Sequence, residues 1–219
     1  MKTRIEKAAV LGAGVMGGGI AALLASSGIE TLLLDILPPN LGEEEKNDQA
    51  ARNAIAQAGL DTLKASKPAL LTDPSAAARI GIGNFEDDFD KLSACDWIIE
   101  VVVENLEIKQ KLFKRVDSVR KPDAIVSTNT SGIPLARISE GLSPEFRSHF
   151  LGTHFFNPVR YMKLLEIIPG EDTLPEILEF MGRFGETRLG KGIVRAKDTP
   201  NFVGNRIGIQ SSMKTIHLM

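Results

Sequence analysis

Residues 12–17 read Gly12-Ala13-Gly14-Val15-Met16-Gly17, glycines at the spacing G-x-G-x-x-G, and the chemistry open to such a turn is the cradling of a pyrophosphate. An apolar run at residues 8–11 precedes it and a helix-like stretch at 18–27 follows, the context that makes this pattern meaningful. Gly12 permits the tight turn, Gly14 lets the backbone approach phosphate oxygens with no Cβ in the way, and Gly17 lets the helix pack closely on the strand. The helix N-terminus then offers unpaired N–H groups to the anion. A second apolar run ends in Asp35, about 20 residues past the last glycine, where a carboxylate can accept hydrogen bonds from adenosine ribose hydroxyls and would repel a 2′-phosphate. Ile36-Leu37-Pro38 follow and no arginine is near, so NAD is expected rather than NADP. The plain alternative is a glycine-rich turn between an ordinary strand and helix, and the whole series in register outweighs it.

These groups need a scaffold at the ends of strands. Short runs rich in Val, Ile and Leu at residues 8–11, 31–34, 97–103 and 124–127 alternate with helix-like stretches, the pattern of a parallel sheet covered on both faces. The fold expected is α/β, Rossmann-type and doubly wound. Between Asp35 and a strand-like segment at 79–84 lies a polar stretch rich in Ala, Gln and Lys, residues 49–67. It is too helical for a loop and too long for a simple crossover, so it reads as an inserted helical arm at about 41–68. Strand-like segments at 150–156, 164–168 and 192–195, with a helix at 175–185, extend the same sheet. Residues 1–200 then form one nucleotide-binding domain.

With a net charge of −2 in 219 residues and 43% hydrophobic side chains, the chain can bury a sizeable core, and it carries no basic field for nucleic acid or an anionic membrane. Its apolar runs are strand-length, short of the roughly 20 residues that cross a bilayer. A single cysteine, Cys95, and a start that runs straight into a strand suggest a reducing, cytoplasmic setting. No metal is expected.

Polar residues that a structural sheet would not require stand in Ser127-Thr128-Asn129-Thr130-Ser131-Gly132, in Thr153-His154-Phe155-Phe156-Asn157-Pro158, in Met162-Lys163-Leu164-Leu165-Glu166, and along residues 197–206. Together with the glycine turn, Asp35 and Glu100-Val101-Val102-Val103-Glu104-Asn105-Leu106, they closely resemble the L-3-hydroxyacyl-CoA dehydrogenases of fatty-acid β-oxidation, from about Ile5 to Met219 and in the same order. The resemblance implies oxidation of the 3-hydroxyl of an acyl-CoA substrate, with His154 as general base and Glu166 paired to it. Chemistry agrees, since hydride transfer from a secondary alcohol also requires the hydroxyl proton to leave, and an imidazole oriented by a carboxylate is a suitable acceptor. It further implies substrate contacts at Ser131 and Asn205 and cofactor contacts at Gly12, Gly14, Met16, Gly17, Asp35, Val102, Val103, Glu104, Lys109, Ser131 and Asn157. Lys64 and Lys67 on the arm are basic candidates for the CoA phosphates. In the family a mostly helical domain follows and commonly forms a dimer interface. Residues 201–219 match the start of the helix leading to it, so the chain reads as part of a longer, homo-oligomeric dehydrogenase, most like long bacterial chains with an enoyl-CoA hydratase-like part behind.

Plainer readings stand beside these. Taken alone, His154 would sooner be a satisfied core histidine, and only its motif reverses that. Glu166 lies amid Leu164, Leu165, Ile167 and Ile168, where a buried carboxylate needs a partner, unless an edge strand exposes it. Ser131 and Asn205 could be turn and cap residues, and Lys109 part of the solvated face of a charged helix at 107–120. His149, His217 and Cys95 join no constellation. Two positions depart from the family: Gly132, where a second serine is usual, and Asn201, where a glycine precedes the phenylalanine. Arg160 and Tyr161 match no family role. Two alternatives remain open at this level, a catalytically silent NAD-binding piece and a dehydrogenase of free 3-hydroxy acids using a lysine base.

Overall fold

The computed structural model describes residues 4–217, and its strands and helices follow the alternation expected of an α/β chain. Strands β1 (Lys7–Leu11), β2 (Glu30–Asp35), β3 (Ile80–Asn84), β4 (Trp97–Glu100), β5 (Ile125–Thr128), β6 (Phe150–Phe155), β7 (Leu164–Pro169) and β8 (Gly192–Arg195) form one sheet in the order β3-β2-β1-β4-β5-β6-β7-β8. All neighbours are parallel except β6 and β7, which are antiparallel. Strand order reverses between β1 and β4, the switch point beside which ligands bind in doubly wound sheets.

Side chains alternate between two cores. Ala8 and Val10 of β1 pack with helices α1 (Val15–Ser26), α3 (Ala54–Ala65) and α7 (Pro175–Thr187) on one face. Ala9 and Leu11 pack with α4 (Leu106–Val119), α5 (Leu135–Ile138) and α6 (Pro144–Ser148) on the other. The arm is broken at Asn53 into α2 (Gln49–Arg52) and α3, and it is tethered at both ends. The Arg52 guanidinium grips both oxygens of Asp87 at 2.6 Å, beyond β3, and holds that carboxyl well below the usual range. At the far end Arg160 donates to the carbonyls of Ala69 and Leu71 (2.8 and 2.6 Å), and the Tyr161 hydroxyl donates to Ala69 (2.8 Å). Arg160 and Tyr161, which match no family role, thus fasten the turn after β6 to the end of the arm.

Two segments differ from expectation. The apolar run at 97–103 is strand only as far as Glu100, beyond which Val101 still donates to Leu11 (2.8 Å) but the chain turns outward. The terminal helix α8 (Gly204–His217) starts three residues past Asn201, because Asn201 and Phe202 take φ of 63° and 45°. That is the left-handed region, which asparagine tolerates better than most L-residues, and it explains how Asn201 can stand where glycine is usual. Residues 218 and 219 of the expected helix lie outside the described residues. No described helix is long and apolar enough to cross a membrane.

Candidate active site

The glycine turn sits directly at the end of β1. Gly12 has φ of 115°, and a Cβ there would lie 2.6 Å from the Val101 carbonyl oxygen; a Cβ on Gly17 would strike the Gly12 carbonyl oxygen at 1.8 Å. Both positions are closed to any other residue. Gly14 differs, since a Cβ there would meet nothing within 4 Å, so its backbone faces open space at the N-cap of α1. That is the cradle a pyrophosphate needs. Asp35 ends β2 beside it, its Oδ2 accepting from Ala13 N–H (2.6 Å) and its Oδ1 from Ile36 N–H (2.7 Å). The carboxylate is fixed at the rim of the turn, and the residues present fit a dinucleotide. Met16 is half-buried on the first turn of α1.

Across the switch point, Glu100 closes β4 opposite Leu11 and Thr128. It is fully buried and accepts from Val102 N–H (2.7 Å), Lys109 Nζ (2.7 Å) and Thr128 Oγ1 (2.6 Å). Burial pushes its carboxyl above the ordinary value, with Lys109 and Thr128 pulling the other way. Lys109 is 1% exposed and reaches Glu104 as well, at 3.2 Å, so the solvated-face reading of this lysine is overturned. The Glu104 carboxylate accepts from Thr130 Oγ1, from Ser131 N–H (3.0 Å) and from Gly132 N–H (3.3 Å). Burial works to raise its pKa, but these donors and Lys109 outweigh it and hold the group low. Val102 is half-buried, and Val103 and Asn157 are exposed, the last just beyond β6.

His154 and Glu166 are register partners on the antiparallel strands β6 and β7, so their side chains share a face. His154 Nδ1 lies 2.7 Å from Glu166 Oε2, both groups being buried. The other carboxylate oxygen, Oε1, accepts from Val203 N–H (2.9 Å) and Gly204 N–H (2.7 Å) at the start of α8, where a helix favours negative charge. Phe156 and Phe202 wall the imidazole edgewise, ring centroids 4.5 and 5.6 Å away. Its free nitrogen, Nε2, lies 3.3 Å from Ser131 Oγ. With Nδ1 facing a carboxylate, the neutral ring carries its proton there and presents Nε2 as an acceptor. Asn205 is half-buried on the first turn of α8. A Cβ built on Gly132 would lie 3.5 Å from Asn201 Oδ1, so the two departures from the family face each other: side-chain bulk is missing at one and present at the other.

Sequence reasoning quoted Glu100 and Thr130 within motifs without giving either a role, and it missed Lys191. Lys191 is 5% exposed and donates to the Val159 and Met162 carbonyls, pinning the turn after β6, and burial lowers its pKa. Glu100 had a signal, an acid inside an apolar strand that must find a cation or several donors. Lys191 had none, because its partners are backbone carbonyls.

A doubly wound sheet with this glycine turn at its switch point and an acid closing the second strand defines a dinucleotide-binding domain, and a buried His–Glu pair stands beyond the same end of the sheet. Comparison with known proteins narrows the class: the profile of the family described as "3-hydroxyacyl-CoA dehydrogenase, NAD binding domain" matches residues 7–199, and the chain belongs to that family. NAD is the family's cofactor at this domain, in agreement with Asp35. A Bacillus subtilis protein named "Probable 3-hydroxyacyl-CoA dehydrogenase" is 54% identical over all of this chain and 28% of its own length. The human "Hydroxyacyl-coenzyme A dehydrogenase, mitochondrial" is 32% identical, covering 99% of this chain and 67% of that protein. Among solved structures, M. tuberculosis FadB2 aligns with a TM-score of 0.79 at 28% identity, over 99% of this chain and 72% of its own. E. coli 3-hydroxybutyryl-CoA dehydrogenase aligns with a TM-score of 0.77 at 30% identity, over 94% and 41%. The chain thus spans just over a quarter of the Bacillus relative's length.

Proposed function

We propose that this chain is the cofactor-binding and proton-transferring part of an NAD-dependent dehydrogenase that oxidises (S)-3-hydroxyacyl-CoA to 3-oxoacyl-CoA in fatty-acid oxidation. The observation that carries the reading is the buried His154–Glu166 pair with Nε2 turned toward Ser131 (2.7 and 3.3 Å). NAD, when bound, supplies the acceptor for the hydride leaving C3. His154 Nε2 takes the hydroxyl proton as the C3–O bond becomes a carbonyl, and Glu166 steadies the imidazolium that results. Ser131 Oγ, within reach of the same nitrogen, and Asn205 orient the substrate oxygens, so that the C3–H faces the cofactor. Gly14 and the first turn of α1 receive the pyrophosphate, Asp35 the adenosine ribose, and the Val102–Lys109 segment with Asn157 the nicotinamide half. Lys64 and Lys67, both exposed on the arm, are basic candidates for the CoA phosphates.

A lysine-base chemistry on free hydroxy acids finds less support, because the buried lysines are engaged: Lys109 with two carboxylates and Lys191 with two carbonyls. The test follows NADH in the full-length protein with acetoacetyl-CoA and with 3-hydroxyacyl-CoA of several lengths. Turnover is expected, falling about 10²–10⁴-fold in His154→Ala; absence of turnover at every length overturns the reading. In a ternary structure, His154 Nε2 more than about 4 Å from the substrate 3-oxygen would reject it as the base.

A further inference from the structure

Glu100 is given no part in the reaction above, yet it stands at the switch point and is the hub of a continuous network that runs from buried Glu100, Lys109 and Thr128 out to the half-exposed Glu104. One arm runs from Glu100 Oε1 to Lys109 Nζ (2.7 Å), from Lys109 to Glu104 (3.2 Å), and from Glu104 to the N–H groups of Ser131 and Gly132 (3.0 and 3.3 Å). The other runs from Glu100 Oε2 to the Thr128 hydroxyl (2.6 Å), which accepts from Thr130 N–H (3.1 Å). The two arms rejoin where Thr130 Oγ1 donates to Glu104. Glu100 also anchors Val102 N–H (2.7 Å). A buried carboxylate and lysine are a poor way to gain stability, since apolar residues of similar size often serve as well or better. What this pair does supply is direction, because the donors around Glu100 are Val102 N–H just after β4, Lys109 on α4, and Thr128 at the last position of β5, from which the Ser131 loop leaves.

We propose that Glu100 is a positioning residue that locks the cofactor-facing segment 101–105 and the Ser131 loop into one unit, so that Ser131 stays fixed against His154. This rests on the roles given above to Glu104 and Ser131. The test uses the full-length protein without NAD or substrate, reading amide hydrogen exchange at Ser131, Gly132 and Ile133 against interior amides of α7. In Glu100→Gln, the loop amides are expected to exchange at least about tenfold faster while α7 is unchanged, and kcat is expected to fall by a similar factor with less change in the KM for acyl-CoA. The paired replacement Glu100→Met with Lys109→Met is expected to retain the melting temperature but not the loop protection, a split that a structural ion pair would not give. Should Glu100→Gln fail to fold, Thr128→Val removes one arm with a near-isosteric side chain and must raise the same exchange. Unchanged loop protection in a folded variant overturns the proposal. A wild-type protein with no turnover sinks the proposed function instead, and leaves the exchange result to judge this one.

Discussion

His154 is held by Glu166 on one side and walled by Phe156 and Phe202, so Nε2 is the ring nitrogen left facing Ser131. Glu166 faces a double demand: one oxygen fixes the His154 ring at 2.7 Å while the other receives two N–H groups from the start of α8. Glu166→Gln keeps the shape but can present an NH₂ to the histidine or to the helix, so it removes either the tautomer lock or the helix anchor. Turnover is expected to fall by about 10²–10⁴-fold with NAD affinity little changed, because Asp35 and the glycine turn lie elsewhere; calorimetry beside steady-state kinetics checks both. A loss of NAD affinity matching the loss of rate would contradict this division of labour. Lys191 offers a second test at this scale. Burial lowers its folded pKa below the ordinary lysine value of 10.5, so on the alkaline side the unfolded chain binds the extra proton. Stability attributable to this group therefore rises as pH climbs from the folded pKa toward 10.5. Lys191→Met should flatten that part of the difference in unfolding free energy, measured by denaturant titration across the alkaline range. A variant whose pH dependence parallels the wild type would show that the buried ammonium carries no such penalty.

At the level of elements, the glycine turn separates two roles that the sequence motif merges. Gly17→Ala places a methyl 1.8 Å from the Gly12 carbonyl oxygen, so the α1–β1 junction must open and unfolding should become easier by several kcal/mol, on the order of other severe overpacking changes. Gly14→Ala meets nothing within 4 Å and sits at φ −67°, ψ −173°, which any residue adopts. Its stability should stay within about 0.5 kcal/mol of wild type while NAD binding weakens, because the methyl occupies the cradle. Melting curves with and without NAD decide it, and equal losses of stability in the two variants would refute the assignment of Gly14 to the ligand. The motif itself is legible because period and punctuation coincide there: an apolar run, three glycines and an apolar helix admit one local solution. The His154–Glu166 pairing is not readable from composition, since register across an antiparallel pair depends on the turn between them; the family resemblance supplies the partners, and β6–β7 register supplies the reason. The end of β4 is misjudged from sequence because Val101, Val102 and Val103 continue its apolar run, whereas the chain turns where Glu100 gathers its donors. The solvated reading of Lys109 fails for the converse reason: on a charged helix a lysine defaults to solvent, but Glu100 at the end of β4 and Glu104 just after it draw this one inside.

Across the whole molecule, the sheet brings its chemistry to one edge. β1, β2, β4, β5 and β6 run parallel, so Gly12, Asp35, Glu100 and Ser131 all emerge beyond the same carboxyl ends and His154 lies near the end of β6, as expected for a ligand crevice in a doubly wound fold. α8 leaves this edge with Ile207, Ile209, Met213 and Ile216 between 52% and 68% exposed, more apolar surface than a helix on an isolated domain usually shows to water. The same chain accounts for 28% of its Bacillus relative and 67% of its human one, so much of each relative lies outside the region compared. Cofactor binding and turnover should then separate by length. The nucleotide contacts proposed above fall at residues 12–35, 102–109, 131 and 157, whereas among the described residues the His154 ring meets Phe156, Phe202 and Ser131. These 219 residues are expected to bind NAD in calorimetry but to form NADH from a 3-hydroxyacyl-CoA at least about a hundredfold more slowly than a long relative such as the Bacillus subtilis protein, the loss that follows when orientation of the reacting atoms is incomplete. Replacing Ile209 and Met213 by glutamine should leave NAD affinity of the short chain unchanged and reduce its self-association in sedimentation. Equal rates for the short and long forms would show instead that the crevice is already whole, with α8 alone closing over the substrate.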